Sequence, residues 1–75
     1  MSKESKSPSL NIKELTLEFL NAAFEGNIET ITRMLNEGID IKTKNESDNT
    51  ALIIAAAADH QDTVKYLLDR GAELI

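Results

Sequence analysis

Apolar residues recur along this chain at helical spacing, in four blocks parted by glycine or by short polar breaks. The first block runs from about Asn11 to Glu25. Plotted at about 100° per residue, Ile12, Leu15, Phe19, Ala22 and Ala23 share one face. Leu17, Leu20 and Phe24 form a second face, and Glu14, Glu18, Asn21 and Glu25 fill the continuous polar stripe. Two apolar faces predict a helix sandwiched between neighbours. The second block, Ile28 to Asn36, points Ile28, Ile31, Met34 and Leu35 inward. The third, Ala51 to Ala58, is rich in alanine, the best helix former. The fourth, Gln61 to Asp69, places Val64, Leu67 and Leu68 on one side.

The breaks predict how these helices start and stop. Gly26, Gly38 and Gly71 each fall just past a block, where a left-handed residue closes a helix. Asn27 and Thr50 stand at N-cap positions. Glu29 and Asp62 lie in first turns, where negative charge suits the helix dipole.

A shift of 33 positions superimposes the second half of the chain on the first: Ala22-Ala23 under Ala55-Ala56, Gly26 under Asp59, Thr30 under Thr63, Ile31 under Val64, Met34 under Leu67, Leu35 under Leu68, Gly38 under Gly71. A fixed period of this size is the mark of stacked helical repeats. The copy that reads Thr50-Ala51-Leu52-Ile53, Ala55-Ala56, Asp59-His60, Thr63-Val64, Leu67-Leu68 and Gly71-Ala72 resembles the ankyrin repeat. The first copy is weaker: Ala22-Ala23, Gly26-Asn27, Thr30-Ile31, Met34-Leu35, Gly38-Ile39. Ala51, Ile53 and Asp59 depart from the proline, histidine and glycine usual in that family.

The resemblance implies an all-α fold of helix-turn-helix repeats stacked as a short solenoid, with one finger loop between them. Repeat one covers about residues 12–42 and repeat two about 45–75, within a unit spanning 11–75. Residues 1–10, rich in serine, lysine and glutamate with Pro8, are expected to be a disordered tail. The polar run from Asp40 to Asn49 is the expected finger, which in this family often touches partners. The resemblance also implies a structural role for His60, tying the inter-helix turn. Tyr66, aligned with Arg33, reads either as an interface anchor or as half-exposed packing.

Composition narrows the function. With 75 residues, the chain buries only about 60% of its unfolded surface. It has no cysteine for a disulfide or thiolate metal site and a single histidine, His60. No glycine-rich phosphate loop occurs, and the carboxylates are scattered, so no catalytic residue, metal or cofactor is expected. The net charge of −5 argues against nucleic acid. A DNA-binding helix-turn-helix reading fails on the same ground, since the would-be recognition helix carries Asp62 and Asp69. The longest wholly apolar run falls short of the ~18 residues of a membrane span, and no signal-peptide core opens the chain. Cytoplasmic residence is expected, with secretion by a route lacking an N-terminal signal left open.

The expected function is therefore a protein-protein interaction module without catalytic activity, its partner unnamed. The alternative is a truncated fragment of a longer array. Candidate contact residues are Lys42, Lys44, Glu46, Asp48 and Asn49 on the finger. Ile54 and Ala58 join them: with Ala51 they form an apolar stripe where the first copy carries Glu18, Asn21 and Glu25. With Leu74 and Ile75, that stripe predicts an unsealed C-terminal end and self-association through it. The paired alanines predict close helix approach at Ala22, Ala23, Ala55 and Ala56.

Overall fold

The computed structural model describes residues 12–73. The expected tail, and the part assigned to Leu74 and Ile75, lie outside these residues. Four helices follow in order: α1 (Ile12–Glu25), α2 (Ile28–Asn36), α3 (Ala51–Ala57) and α4 (Gln61–Asp69). The chain is thus all-α, with two antiparallel helix pairs stacked side by side. Within the pairs α1 packs on α2 and α3 on α4, and the pairs meet through α1 and α3. Helix α3 stops one residue earlier than its alanine run, with Ala58 as its C-cap.

All four helices close in the same way. The residue past the end takes a left-handed φ and donates its N–H back, and the following N–H bonds to the carbonyl one residue earlier. After α1, Gly26 at φ 72° donates to the Ala23 carbonyl and Asn27 to that of Ala22. After α3, the same geometry falls on Asp59, at φ 63°. Asn27 caps α2 by accepting from the Thr30 N–H at 3.1 Å. Thr50 caps α3 by accepting from the Ile53 N–H at 3.3 Å.

The core is assembled from one face of each helix. Phe19, Ala22 and Ala23 of α1, Ile31 and Met34 of α2, Ala51, Leu52 and Ala55 of α3, and Leu67 of α4 are all buried. Leu20 joins them from the second face of α1, but that face as a whole is not covered. Leu17 is 60% exposed and Phe24 61% exposed. The sandwich expected of α1 is therefore one-sided, because α2 and α3 both sit on the arc centred on Phe19.

The unsealed stripe also needs correction. Ala51 is fully buried, and Ile54 and Ala58 are half-buried. Glu18, Asn21 and Glu25, their counterparts on α1, are exposed. The difference arises because α1 occupies that side of α3, whereas the same side of α1 stays exposed, met at Glu18 by the Arg33 guanidinium at 3.4 Å. The stripe turns apolar to meet repeat one. Apolar surface does lie open in repeat two, but one stripe further round. Ala56 and Leu68 are exposed and Val64 half-buried, whereas their counterparts Ala23 and Ile31 are buried and Leu35 half-buried. Close packing accordingly holds at Ala22, Ala23 and Ala55, not at Ala56.

Candidate protein-binding groove

The segment between α2 and α3 is polar, yet its backbone is well tied. Asp40 opens it, its carboxylate accepting from the Lys42 N–H at 2.9 Å and its carbonyl from the Thr43 N–H at 2.9 Å. Asn45 organises the tip. Its side-chain oxygen accepts from the Ser47 N–H at 2.8 Å and the Asn49 N–H at 3.1 Å. Its own N–H reaches the Asn49 carbonyl at 3.1 Å, and its carbonyl takes the Asp48 N–H at 3.0 Å. Asp48 turns the chain at φ 64°. Asparagine and aspartate suit such turns because their side chains replace missing backbone partners. A single antiparallel bridge, Lys44 to Thr50, closes the base. The finger is therefore a side-chain-tied loop, not a ladder of strands.

This finger stands beside the N-terminal half of α1 and leaves a groove between them. Lys13, Thr16 and Leu17 line the helix side, and Lys44, Asn45, Glu46 and Ser47 the finger side. Lys13 and Glu46 face each other across it at 4.0 Å, and Lys44 pairs with Asp48 at 3.5 Å. These exposed pairs contribute about 0–1 kcal/mol each, but each sets a carboxylate beside one of the groove's two lysines. Leu17 supplies its one large apolar side chain, and Phe24 continues the same stripe of α1 two turns on.

Of the sequence-derived candidates, Lys44 and Glu46 line this groove. Lys42 and Asp48 are exposed on the finger outside it. Asn49 is half-buried, its backbone spent on Asn45. Ile54 and Ala58 lie apart, in the packing between repeats. Sequence reasoning missed Lys13, Thr16, Leu17 and Phe24. One signal was available: 33 positions on, Leu17 and Phe24 align with Thr50 and Ala57, so the second apolar face is not a repeating core feature.

The two polar-tipped rings serve the stack. The Nε2–H of His60 donates to the Phe24 carbonyl at 2.8 Å, satisfying an orphan acceptor at the end of α1. The ring lies on Gly26 so closely that a Cβ there would be 2.8 Å from Nδ1. Tyr66 shares a 2.6 Å hydrogen bond with the Thr32 hydroxyl of α2 and accepts one from Arg70 at 2.8 Å. Both rings thus join repeat two to repeat one, and Tyr66 is packing, not a free anchor. Among the described residues, no group of histidine or acidic side chains is placed to hold a metal, and no helix is long and apolar enough to cross a membrane.

Comparison with known proteins agrees with this architecture. A family model for ankyrin repeats, in three copies, matches residues 7–75. The ankyrin repeat protein YahD of Escherichia coli is 32% identical over 65 residues, covering 87% of this chain and 32% of its own. L-asparaginase of Dirofilaria immitis is 37% identical over 87% of this chain and 11% of its own. The human mitochondrial disaggregase is 39% identical over 92% of this chain and 9% of its own. The chain thus spans between about a tenth and a third of the length of these relatives.

Proposed function

Since the chain belongs to the ankyrin repeat family, we propose that it is a non-catalytic protein-binding module whose partner seats in the groove between α1 and the finger. One observation carries this reading: a large apolar side chain, Leu17, stands 60% exposed beside a finger whose backbone is already tied in place. An ordered surface loses little conformational entropy on binding. Because Lys13–Glu46 and Lys44–Asp48 neutralise one another, the groove selects for shape and an apolar anchor more than for net charge. The partner is thus a polypeptide that lays an apolar side chain on Leu17 and hydrogen-bonds polar groups of Lys44 to Ser47. The compartment, on the sequence reading, is the cytoplasm.

The test compares affinity capture by the parent chain, by Leu17→Glu and by Lys44→Glu, with the captured proteins identified by mass spectrometry. Leu17 is exposed, so neither variant should shift the thermal unfolding midpoint appreciably. A protein captured by the parent and lost with both variants supports the groove. Capture that survives both, at unchanged fold, refutes it.

A further inference from the structure

The side of repeat two that faces away from repeat one carries a second surface, separate from the groove. The stack itself shows what such a surface receives. On repeat one, the equivalent surface is covered by repeat two: His60 seats on Gly26 and donates to the Phe24 carbonyl, and Tyr66 meets Thr32. Shifted by one repeat, these three receptors become Asp59, the Ala57 carbonyl and Lys65, around an apolar centre of Ala56, Val64 and Leu68. Leu68 is 47% exposed there.

The receptors have changed in a way that alters what fits. Asp59 has nearly the φ of Gly26, 63° against 72°, so its side chain leaves the backbone where the missing Cβ of Gly26 would. At Gly26 that Cβ would lie 2.8 Å from Nδ1 and 2.9 Å from Cγ of the seated imidazole. A histidine delivered in the same way onto Asp59 would collide. In its place stands a carboxylate, met from its own repeat by the neutral Gln61 amide at 3.4 Å, beside a helix-terminal carbonyl, two acceptors that call for a cationic donor. Where repeat one offers the Thr32 hydroxyl, repeat two offers the ammonium of Lys65, which calls for an acid.

We propose that this face docks a helix-turn-helix layer carrying a cation where repeat two carries His60 and a carboxylate where it carries Tyr66. A second copy stacked head to tail does not meet this requirement. It would present Asn27 to Asp59 and Arg33 to Lys65, and would lower Glu18 and Glu25 onto the apolar centre. Burying unpaired carboxylates is unfavourable.

The probe is a copy of residues 43–75 appended in register after Ile75, either unchanged or carrying His60→Arg and Tyr66→Glu within the appended copy only. Each is made with Asp59 intact and with Asp59→Gly in the original repeat, and each is followed by thermal unfolding and by amide NMR dispersion of the appended residues. With Asp59 intact, the Arg/Glu copy should fold and melt about 4 °C or more above the unchanged copy. With Asp59→Gly, that advantage should shrink or reverse. An unchanged copy that melts as high beside Asp59 overturns the proposal. So does an advantage indifferent to Asp59→Gly, or an Arg/Glu copy that stays unfolded. Sedimentation of the unextended chain adds one further outcome: a concentration-dependent dimer abolished by Leu68→Glu would assign the face to self-pairing and also overturn it. None of these readouts involves Leu17, so the groove reading stands or falls separately.

Discussion

Gly26→Ala tests the joint between the repeats most directly. Two costs act at this position. The first is local: Gly26 sits at φ 72°, and an L-residue with a Cβ in the left-handed region costs about 1–2 kcal/mol. The second is steric: the new methyl would lie 2.8 to 3.1 Å from three atoms of the His60 ring, and the ring is held by its 2.8 Å bond to Phe24. Forcing an extra carbon into a packed contact costs about 1–3 kcal/mol. The combined loss is therefore about 2–5 kcal/mol, from a total of about 4–11 kcal/mol expected for 75 residues. The two costs separate in a double-mutant cycle with His60→Ala. Without the ring the steric term disappears and only the φ term remains, so the cycle should show a coupling of about 1–3 kcal/mol. Urea unfolding followed by circular dichroism gives each corner, and an osmolyte such as TMAO restores any corner that is unfolded in water. Strictly additive losses would refute the reasoning, because they would mean that the ring does not sit on Gly26.

The other expectations follow the same geometry. Asp59→Gly should stabilise the chain by about 0.4–1 kcal/mol, because Asp59 occupies φ 63° without the freedom of glycine; an unchanged urea midpoint would contradict this. Tyr66→Phe should cost about 0.5–1.5 kcal/mol through loss of the Thr32 hydrogen bond, and a cycle with Thr32→Val should show coupling. Ala55→Leu should destabilise by about 1–3 kcal/mol by overpacking a fully buried site, whereas Ala56→Leu, on the open side, should stay within about 0.5 kcal/mol; equal melting of the two variants would refute the assignment of faces. Asn45→Ala removes the acceptor of the Ser47 and Asn49 amides, so their hydrogen-exchange protection should fall while that of α1 stays the same.

Much of the local structure was legible in the chain. The apolar spacing, the three glycines and the caps Asn27 and Thr50 specify helices, because each acts within a turn or two of backbone. The 33-residue period specified that the helix pairs stack, and it aligned Asp59 with Gly26 closely enough to give its positive φ. The period also holds an ambiguous signal. Ala51, Ile54 and Ala58 are apolar where Glu18, Asn21 and Glu25 are polar, and in the sequence alone that contrast reads as an open end. It marks instead the side of α3 that meets α1.

The set of elements, their ends and their repetition are thus local properties of the chain. Which stripe of each helix meets a neighbour is fixed only when the helices stack. Helical periodicity reports that a face is apolar, but not what covers it, since burial depends on partners distant along the chain. Leu17 and Phe24 share an apolar face with Leu20, yet only Leu20 lies within the arc that α2 and α3 cover. For the same reason the groove was only half visible. Its finger wall is a continuous polar run that can be read locally, while its helix wall exists only because the stack brings Lys13 and Leu17 beside Glu46.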